Sequence, residues 1–193
     1  MRHRRPGPVL PARLAARRGR AHGVTLLELL VALGLAGVLL LLGGATVGNW
    51  IPRYQQRSVA AALAEALQVA RSEALRRNVR VDLCPSVDRA TCDPAGRWHL
   101  GWLTFADENG NGRRDPGEDL VRIDVPAAPR ITVSGNGPVA KYVSYTPWGH
   151  TRLASGALQM GTFTVCRTNL TEIQVVLANG GRPRIQEVPV PCP

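Results

Sequence analysis

The stretch Gly23-Val24-Thr25-Leu26-Leu27-Glu28-Leu29-Leu30 opens an apolar run that continues to Gly48, and it governs how the rest of the chain is read. Glu28 is the only charge between Val24 and Gly48. As a helix these residues rise ~1.5 Å each and reach ~37 Å, enough to cross a hydrocarbon core of ~30 Å. Upstream, residues 1–23 hold seven arginines (Arg2, Arg4, Arg5, Arg13, Arg17, Arg18 and Arg20) and no acidic residue. Arginines beside an apolar helix hold that end in the cytoplasm, so the chain beyond the run is expected to face outward. A secretory signal peptide would have a shorter apolar core followed by a small-residue cleavage site. Here the boundary, Gly23-Val24, precedes the run.

Glu28 is the anomaly in the run. A carboxylate near the start of a membrane helix is costly and calls for a partner. An amine freed by cleavage before Val24 would lie about one helical turn away, on the same chain or a neighbouring one. At this point the residues resemble a known signature. Gly23 to Leu30 is similar to the type IV prepilin leader junction, in which an aspartyl prepilin peptidase cuts after the glycine. The resemblance implies methylation of the new N-terminus at Val24. It also implies pairing of Glu28 with the N-terminus of a neighbouring subunit during assembly. Val24 departs from the phenylalanine usual in that family.

The full chain of 193 residues has a net charge of +10, but the leader accounts for much of it. Residues 24–193 carry 17 basic and 14 acidic side chains, a balance that identifies no partner by itself. Cys84, Cys92, Cys166 and Cys192 all follow the apolar run. An even count on the exported side of a membrane suggests two disulfides, for which three connectivities exist. The expected pairing is Cys84–Cys92, closing a short loop that contains Pro85, and Cys166–Cys192, tying down the C-terminal tail. Zinc is the weaker rival, since no paired C-x-x-C spacing occurs and only His99 and His150 remain beyond the leader.

Past Trp50 and Pro52 the pattern becomes amphipathic. Val59, Leu63, Leu67, Ala70, Ala74 and Leu75 recur at helical steps, while Arg57, Gln68, Arg71, Ser72 and Arg76 fall largely elsewhere. Pro52 marks a place for a kink in one long helix ending near residue 78. Period-two runs then predict strands around Val79-Val81-Leu83, Trp98-Leu100-Trp102, Val121-Ile123-Val125, Ile131-Val133, Tyr142–Tyr145, Phe163-Val165 and Ile173-Val175-Leu177. A helix followed only by short strands predicts an α+β fold. The expected organisation is a leader over 1–23, removed on maturation, and a transmembrane and filament-core helix over 24–50. A periplasmic domain follows over 51–193, a helix to about 78 packed on antiparallel sheet.

A second resemblance covers nearly the whole mature chain. Ala70-Arg71-Ser72-Glu73-Ala74 with Asn78, then Cys84, Trp98-x-x-Gly101-Trp102 with Phe105, Asp107–Glu118, Phe163-x-x-Cys166 and Gly181-Arg182 are together similar to the GspH/FimT group of minor pilins and pseudopilins. This implies a type IV pilin-like fold and an inner-membrane subunit with a single span. Its partners would be the prepilin peptidase and other minor pilins or pseudopilins. The machine would be either a type IV pilus or a type II secretion system.

Two motifs bear on ligands. Asp107, Asn109, Asn111, Gly112, Asp115 and Glu118 fit the spacing of a calcium loop. Strand-like flanks and the neighbouring Arg113 and Arg114 favour the alternative, a hairpin loop whose Asn and Asp side chains bond their own backbone. In Gly181-Arg182-Pro183-Arg184, an extended backbone would put Arg182 and Arg184 on one side, ~6.6 Å apart, able to clamp phosphates. Resemblance to the FimT branch implies DNA binding through this Gly-Arg-x-Arg motif, serving uptake in natural transformation. Two phosphate contacts alone give weak, salt-sensitive affinity, so helpers such as Lys141 or Arg167 are expected. The alternative is a secretion pseudopilin without DNA binding. No catalytic arrangement emerges: there are no paired carboxylates in a recognisable cleft, and His99 and His150 are expected to be structural. No cofactor other than calcium is suggested.

Overall fold

The computed structural model describes residues 23–43, 50–125, 128, 130–178 and 180–193, and divides the chain into two compact units, Met1–Ala45 and Thr46–Pro193. Most of the leader therefore lies outside the described residues. In the first unit, helix α1 spans Leu26–Gly43. Thr25 caps it: its Oγ1 accepts the Glu28 N–H at 3.2 Å, and its carbonyl accepts the Leu29 N–H at 3.1 Å. The 18 residues of α1 rise ~27 Å. Among the described residues no helix is long and apolar enough to cross a membrane. The span expected over 24–50 includes residues 44–49, which lie outside the described set, as does the junction between the two predicted helical parts.

The second unit begins with α2, Trp50–Arg77. Pro52 is its third described residue, and Gly48, four positions earlier, lies outside the described set. Eight strands follow: β1 Val81–Pro85, β2 Trp102–Ala106, β3 Leu120–Asp124, β4 Thr132–Gly135, β5 Val143–Tyr145, β6 Gly161–Cys166, β7 Thr171–Leu177 and β8 Pro183–Pro191. They form two four-stranded antiparallel sheets, ordered β3-β2-β1-β5 and β4-β6-β7-β8. This is the α+β architecture the sequence predicts.

One core joins α2 to both sheets. Val59, Ala60, Leu63, Ala66, Leu67, Ala70 and Ala74 form the buried stripe of α2, against Val81 and Leu83 of β1, Phe163 and Val165 of β6, and Ile173, Val175 and Leu177 of β7. The alanines let the sheets approach the helix closely, and the larger strand residues fill the space between. The stripe differs from expectation at its ends. Leu75 is 50% exposed, whereas Gln56 is buried, its Nε2 donating to the carbonyls of Val165 (2.8 Å) and Thr171 (2.9 Å). A buried amide is stable only with such partners, and periodicity cannot anticipate them.

β1 and β2 are buried along their whole length because both faces are covered. Val81, Leu83 and Trp102 face the main core, while Cys84, Leu103 and Phe105 pack with Cys92, Leu120 and Tyr142 on the other side. The predicted strand at Trp98-Leu100-Trp102 is a correction. Trp98–Leu100 is a 3-10 turn, and β2 starts only at Trp102. Gly101, at φ 131°, adopts backbone that L side chains rarely enter and breaks the alternation. Trp98 still reaches the core, donating its indole N–H to the Ala140 carbonyl (2.9 Å) and meeting the Phe163 ring edge-on at 5.0 Å. β8 was not foreseen. Its prolines at 183, 189 and 191 argue against a central strand, and it lies at a sheet edge, where a missing ladder donor is tolerated.

Candidate functional site

The N-terminal motif precedes α1. Gly23 and Val24 are exposed and outside regular structure, and a Cβ placed on Gly23 would meet nothing within 4 Å. Nothing among the described residues requires glycine there. Thr25 and Glu28 fill the positions of a capping box, Thr at N-cap and Glu three residues on. This cap adds to the pairing role expected of Glu28, and the T-x-x-E spacing is its signal in the sequence. The Glu28 side chain is exposed and makes no salt bridge among the described residues.

The second motif sits at the far end of the globular unit from the start of α2. Gly181 has φ 71°, and a Cβ there would lie 2.4 Å from the Gly149 carbonyl oxygen, so the motif's glycine is dictated by packing. Tyr145 donates its hydroxyl proton to the Gly181 carbonyl (3.0 Å). Burial pushes the pKa of that phenol up, so it stays a donor at any ordinary pH. On the other side, Arg71 of α2 donates Nε to the Gly149 carbonyl at 3.0 Å. Gly181 is thus wedged between β5 and the turn after it, and Arg182 and Arg184 are left exposed. Neither arginine takes part in a salt bridge among the described residues. Arg184 stands opposite Val176 in the β7–β8 ladder.

The proposed helpers are not brought to this place. Arg167 donates to Gln55 Oε1 (2.5 Å) near the start of α2, whereas Gly149 and Gly181 are held at Arg71. Sixteen helical residues, ~24 Å of rise, separate Gln55 from Arg71. Lys141 lines a cleft of about 430 Å³ together with Cys92, Arg113, Arg114 and Tyr142. Trp148 was missed as a site residue. It stands 77% exposed on the turn that carries Gly149. A tryptophan between proline and glycine, at a turn tip, was the signal for it.

The calcium-pattern segment connects β2 to β3, so it is the loop of a hairpin. Its oxygens are taken up internally. Asp107 Oδ1 accepts the N–H groups of Gly110 (2.8 Å) and Asn111 (3.2 Å), and Oδ2 that of Gly112 (2.9 Å). Glu118 accepts the N–H groups of Glu108 and Asp115, while the amides of Asn109 and Asn111 both donate to Asp115 Oδ2 (2.7 and 2.6 Å). Among the described residues no group of three or more His, Cys, Asp and Glu side chains is placed to hold a metal. Arg114 ties the loop to its neighbours through the carbonyls of Ala90 and Glu118.

Disulfides join Cys84 to Cys92 and Cys166 to Cys192, with Cα separations of 5.6 and 5.5 Å. No cysteine is free for zinc. His99 is in none of the candidate sites just described, whereas His150 is exposed on the turn that carries Trp148. A buried carboxyl was also missed. Asp82 of β1 is fully buried beside Asp107, and neither of its oxygens has a hydrogen-bond partner. Burial first, then the Asp107 charge, push its pKa well above the usual carboxylate range.

Comparison with known proteins agrees with this picture. A family profile described as "Type II transport protein GspH" matches residues 59–181, and one described as the "Prokaryotic N-terminal methylation motif" matches residues 18–44. Over 100 residues the chain is 42% identical to the "Pilin-like protein PilA1" of Thermus thermophilus, covering 51% of this chain and 56% of that protein. It thus spans little more than half the length of that relative. The type IV minor pilin FimU of Pseudomonas aeruginosa has a similar fold, with a TM-score of 0.51 at 22% identity, over 72% of this chain and 91% of that one. The minor pseudopilin EpsH from the Type 2 Secretion System of Vibrio cholerae gives a TM-score of 0.43 at 11% identity, over 69% and 97%.

Proposed function

Since the chain belongs to the GspH family, we propose that it is a minor pilin-type subunit that is cleaved after Gly23, anchored in the inner membrane by its N-terminal helix, and inserted into a filament of related subunits. The observation that carries this reading is α1 itself. Leu26, Leu27, Leu33 and Leu35 are all more than 60% exposed among the described residues. Such a surface needs lipid or other apolar helices around it. Gly23, which nothing among the described residues requires, has its reason in a processing enzyme. Glu28, exposed and unpaired among the described residues, has its partner in the new N-terminus of a neighbour. The globular domain then faces the periplasm. Crosslinking tests the pairing: Glu28→Ala should be cleaved normally yet fail to crosslink to neighbouring subunits. Normal incorporation would refute it.

The finer reading is that the Gly181–Arg184 segment binds DNA by its phosphates, for uptake. Two exposed guanidiniums on a packed support favour it, as does the local charge. From Val125 to Gln186 there are six basic residues and one acidic residue. The full chain in detergent micelles should bind DNA weakly, with little sequence preference and with affinity falling as salt rises. Arg182→Ala with Arg184→Ala should remove most binding, while Arg53→Ala with Arg113→Ala, exposed arginines elsewhere, should not. Equal loss from both pairs would reduce the effect to bulk charge. No binding at low salt would leave a secretion pseudopilin.

A further inference from the structure

Three of the protein's tryptophans lie in the globular unit's strand region, and they divide sharply. Trp98 and Trp102 are buried in the core, whereas Trp148 is 77% exposed. An exposed indole usually sits on a mobile tip, but this turn is fastened on three sides. The Gly149 N–H donates to the Thr146 carbonyl (2.8 Å), and Thr146 donates both its N–H (2.9 Å) and its hydroxyl (3.0 Å) to the His150 carbonyl. Arg71 holds the Gly149 carbonyl from α2, and Gly181 packs directly against that same carbonyl. Trp148 and Arg182 therefore project from two backbone segments in contact. Each is one Cα step from a glycine of the contact, which places their Cα atoms within ~14 Å of one another.

The surroundings select the ligand. His150 is exposed on the same turn, and Leu75 lies against Gly149 as the one large exposed apolar neighbour of the turn named by these contacts. The single acidic residue of the stretch from Val125 to Gln186 is Glu172, toward the opposite end of the β7–β8 ladder from Arg184. An exposed ring on a fastened turn, close to an exposed guanidinium, matches a base next to its phosphate. The π-face of indole accepts any unpaired base, while a base inside a duplex is already stacked.

We propose that Trp148 is a stacking platform for an unpaired nucleobase and that Arg182 grips an adjoining phosphate, so that single-stranded nucleic acid is the favoured ligand at this end of the domain. The inference rests on the phosphate-binding reading of Arg182 and Arg184 and adds the form of the strand to it. Fluorescence anisotropy with the full chain in detergent micelles tests it, using oligothymidine, an abasic strand of equal length and a duplex. Oligothymidine should bind more tightly than the abasic strand, by roughly 5- to 150-fold for one stacked base. Trp148→Ala should remove that advantage and leave abasic binding unchanged. Trp148→Phe should keep most of it, and Arg182→Ala with Arg184→Ala should weaken both strands. Thermal melts should be alike for all variants. Equal binding of oligothymidine and the abasic strand, unaffected by Trp148→Ala, would overturn the stacking proposal while leaving phosphate binding intact. Absence of binding to every strand would overturn both. Blue-shifted Trp148 emission without nucleic acid, with oligomers lost in Trp148→Ala, would assign the ring to a protein contact and overturn it as well.

Discussion

α1 and α2 are both long helices, yet the side chains described in α1 are exposed, while one face of α2 is buried. In α2 the inward stripe is largely alanine, with Leu63 and Leu67 as its large members, and both leucines are fully buried. In α1 the leucines from Leu26 to Leu35 follow no single face and are exposed, Leu26 by 77% and Leu33 by 62%. A helix that is amphipathic closes its own domain, while one that is apolar all round needs an environment that the chain does not supply. The globular unit is therefore complete without α1. What α1 contributes is a relation to other molecules.

Substitution of one leucine in each helix should separate these roles most clearly. Leu67→Ala should cost ~2–5 kcal/mol of domain stability through the cavity it leaves. Leu33→Ala should leave the thermal midpoint of the domain unchanged, with its effect confined to membrane extraction and assembly. Equal destabilisation by both would mean that α1 belongs to the fold of the domain. Chemical denaturation, followed by near-ultraviolet circular dichroism, reads the difference.

The disulfides sharpen the same contrast within the globular unit. Cys166–Cys192 closes a separation of 26 residues, and Cys84–Cys92 one of only 8. On chain entropy alone the first contributes about 3.6 kcal/mol and the second about 2.6 kcal/mol. Serine pairs at 166 and 192 should therefore lower the denaturation midpoint more than serine pairs at 84 and 92. The reverse order would show that the short loop, which packs Cys92 against Leu103 and Phe105, matters more through its contacts.

The smallest effect concerns charge. Burial and the nearby Asp107 charge hold the Asp82 carboxyl well above the usual carboxylate range, so the folded state holds a proton that the unfolded chain releases. The stability tied to that proton is fully present below the unfolded pKa and is lost as pH rises toward the folded one. Glu73 runs the other way, lowered to about 2 by hydrogen bonds from Arg76 and Arg77, and its contribution fades only as pH falls from ~4.5 toward 2. Asp82→Asn should therefore raise the melting temperature at pH 8, with the gain shrinking toward zero near pH 4. A gain independent of pH would remove the buried acid from the explanation.

Much of this was legible in the residues. Spacing on α2 located Val59, Leu63 and Leu67, and alternation located β6 and β7, because in those elements one face alone is buried. Alternation failed at Trp98–Trp102, where Gly101 turns the backbone, and at β8, whose prolines are tolerated only because nothing pairs beyond it. The arginines at 182 and 184 were readable as a motif. That Trp148 lies beside them was not, since only the packing of Gly181 on Gly149 brings the two segments together. Gln56 and Asp82 were hidden for a similar reason: burial of a polar group depends on partners, or their absence, far away in sequence.

The contrast between the helices comes down to whether α1 begins at a processed terminus. Mass spectrometry of the chain recovered from inner membranes, in cells that contain a prepilin peptidase, addresses this directly. The account predicts an N-terminal peptide starting at Val24 and carrying a methyl group, and loss of that peptide when Gly23 is replaced. A mature terminus inside the apolar run, or an intact leader from Met1 in the assembled protein, would contradict it.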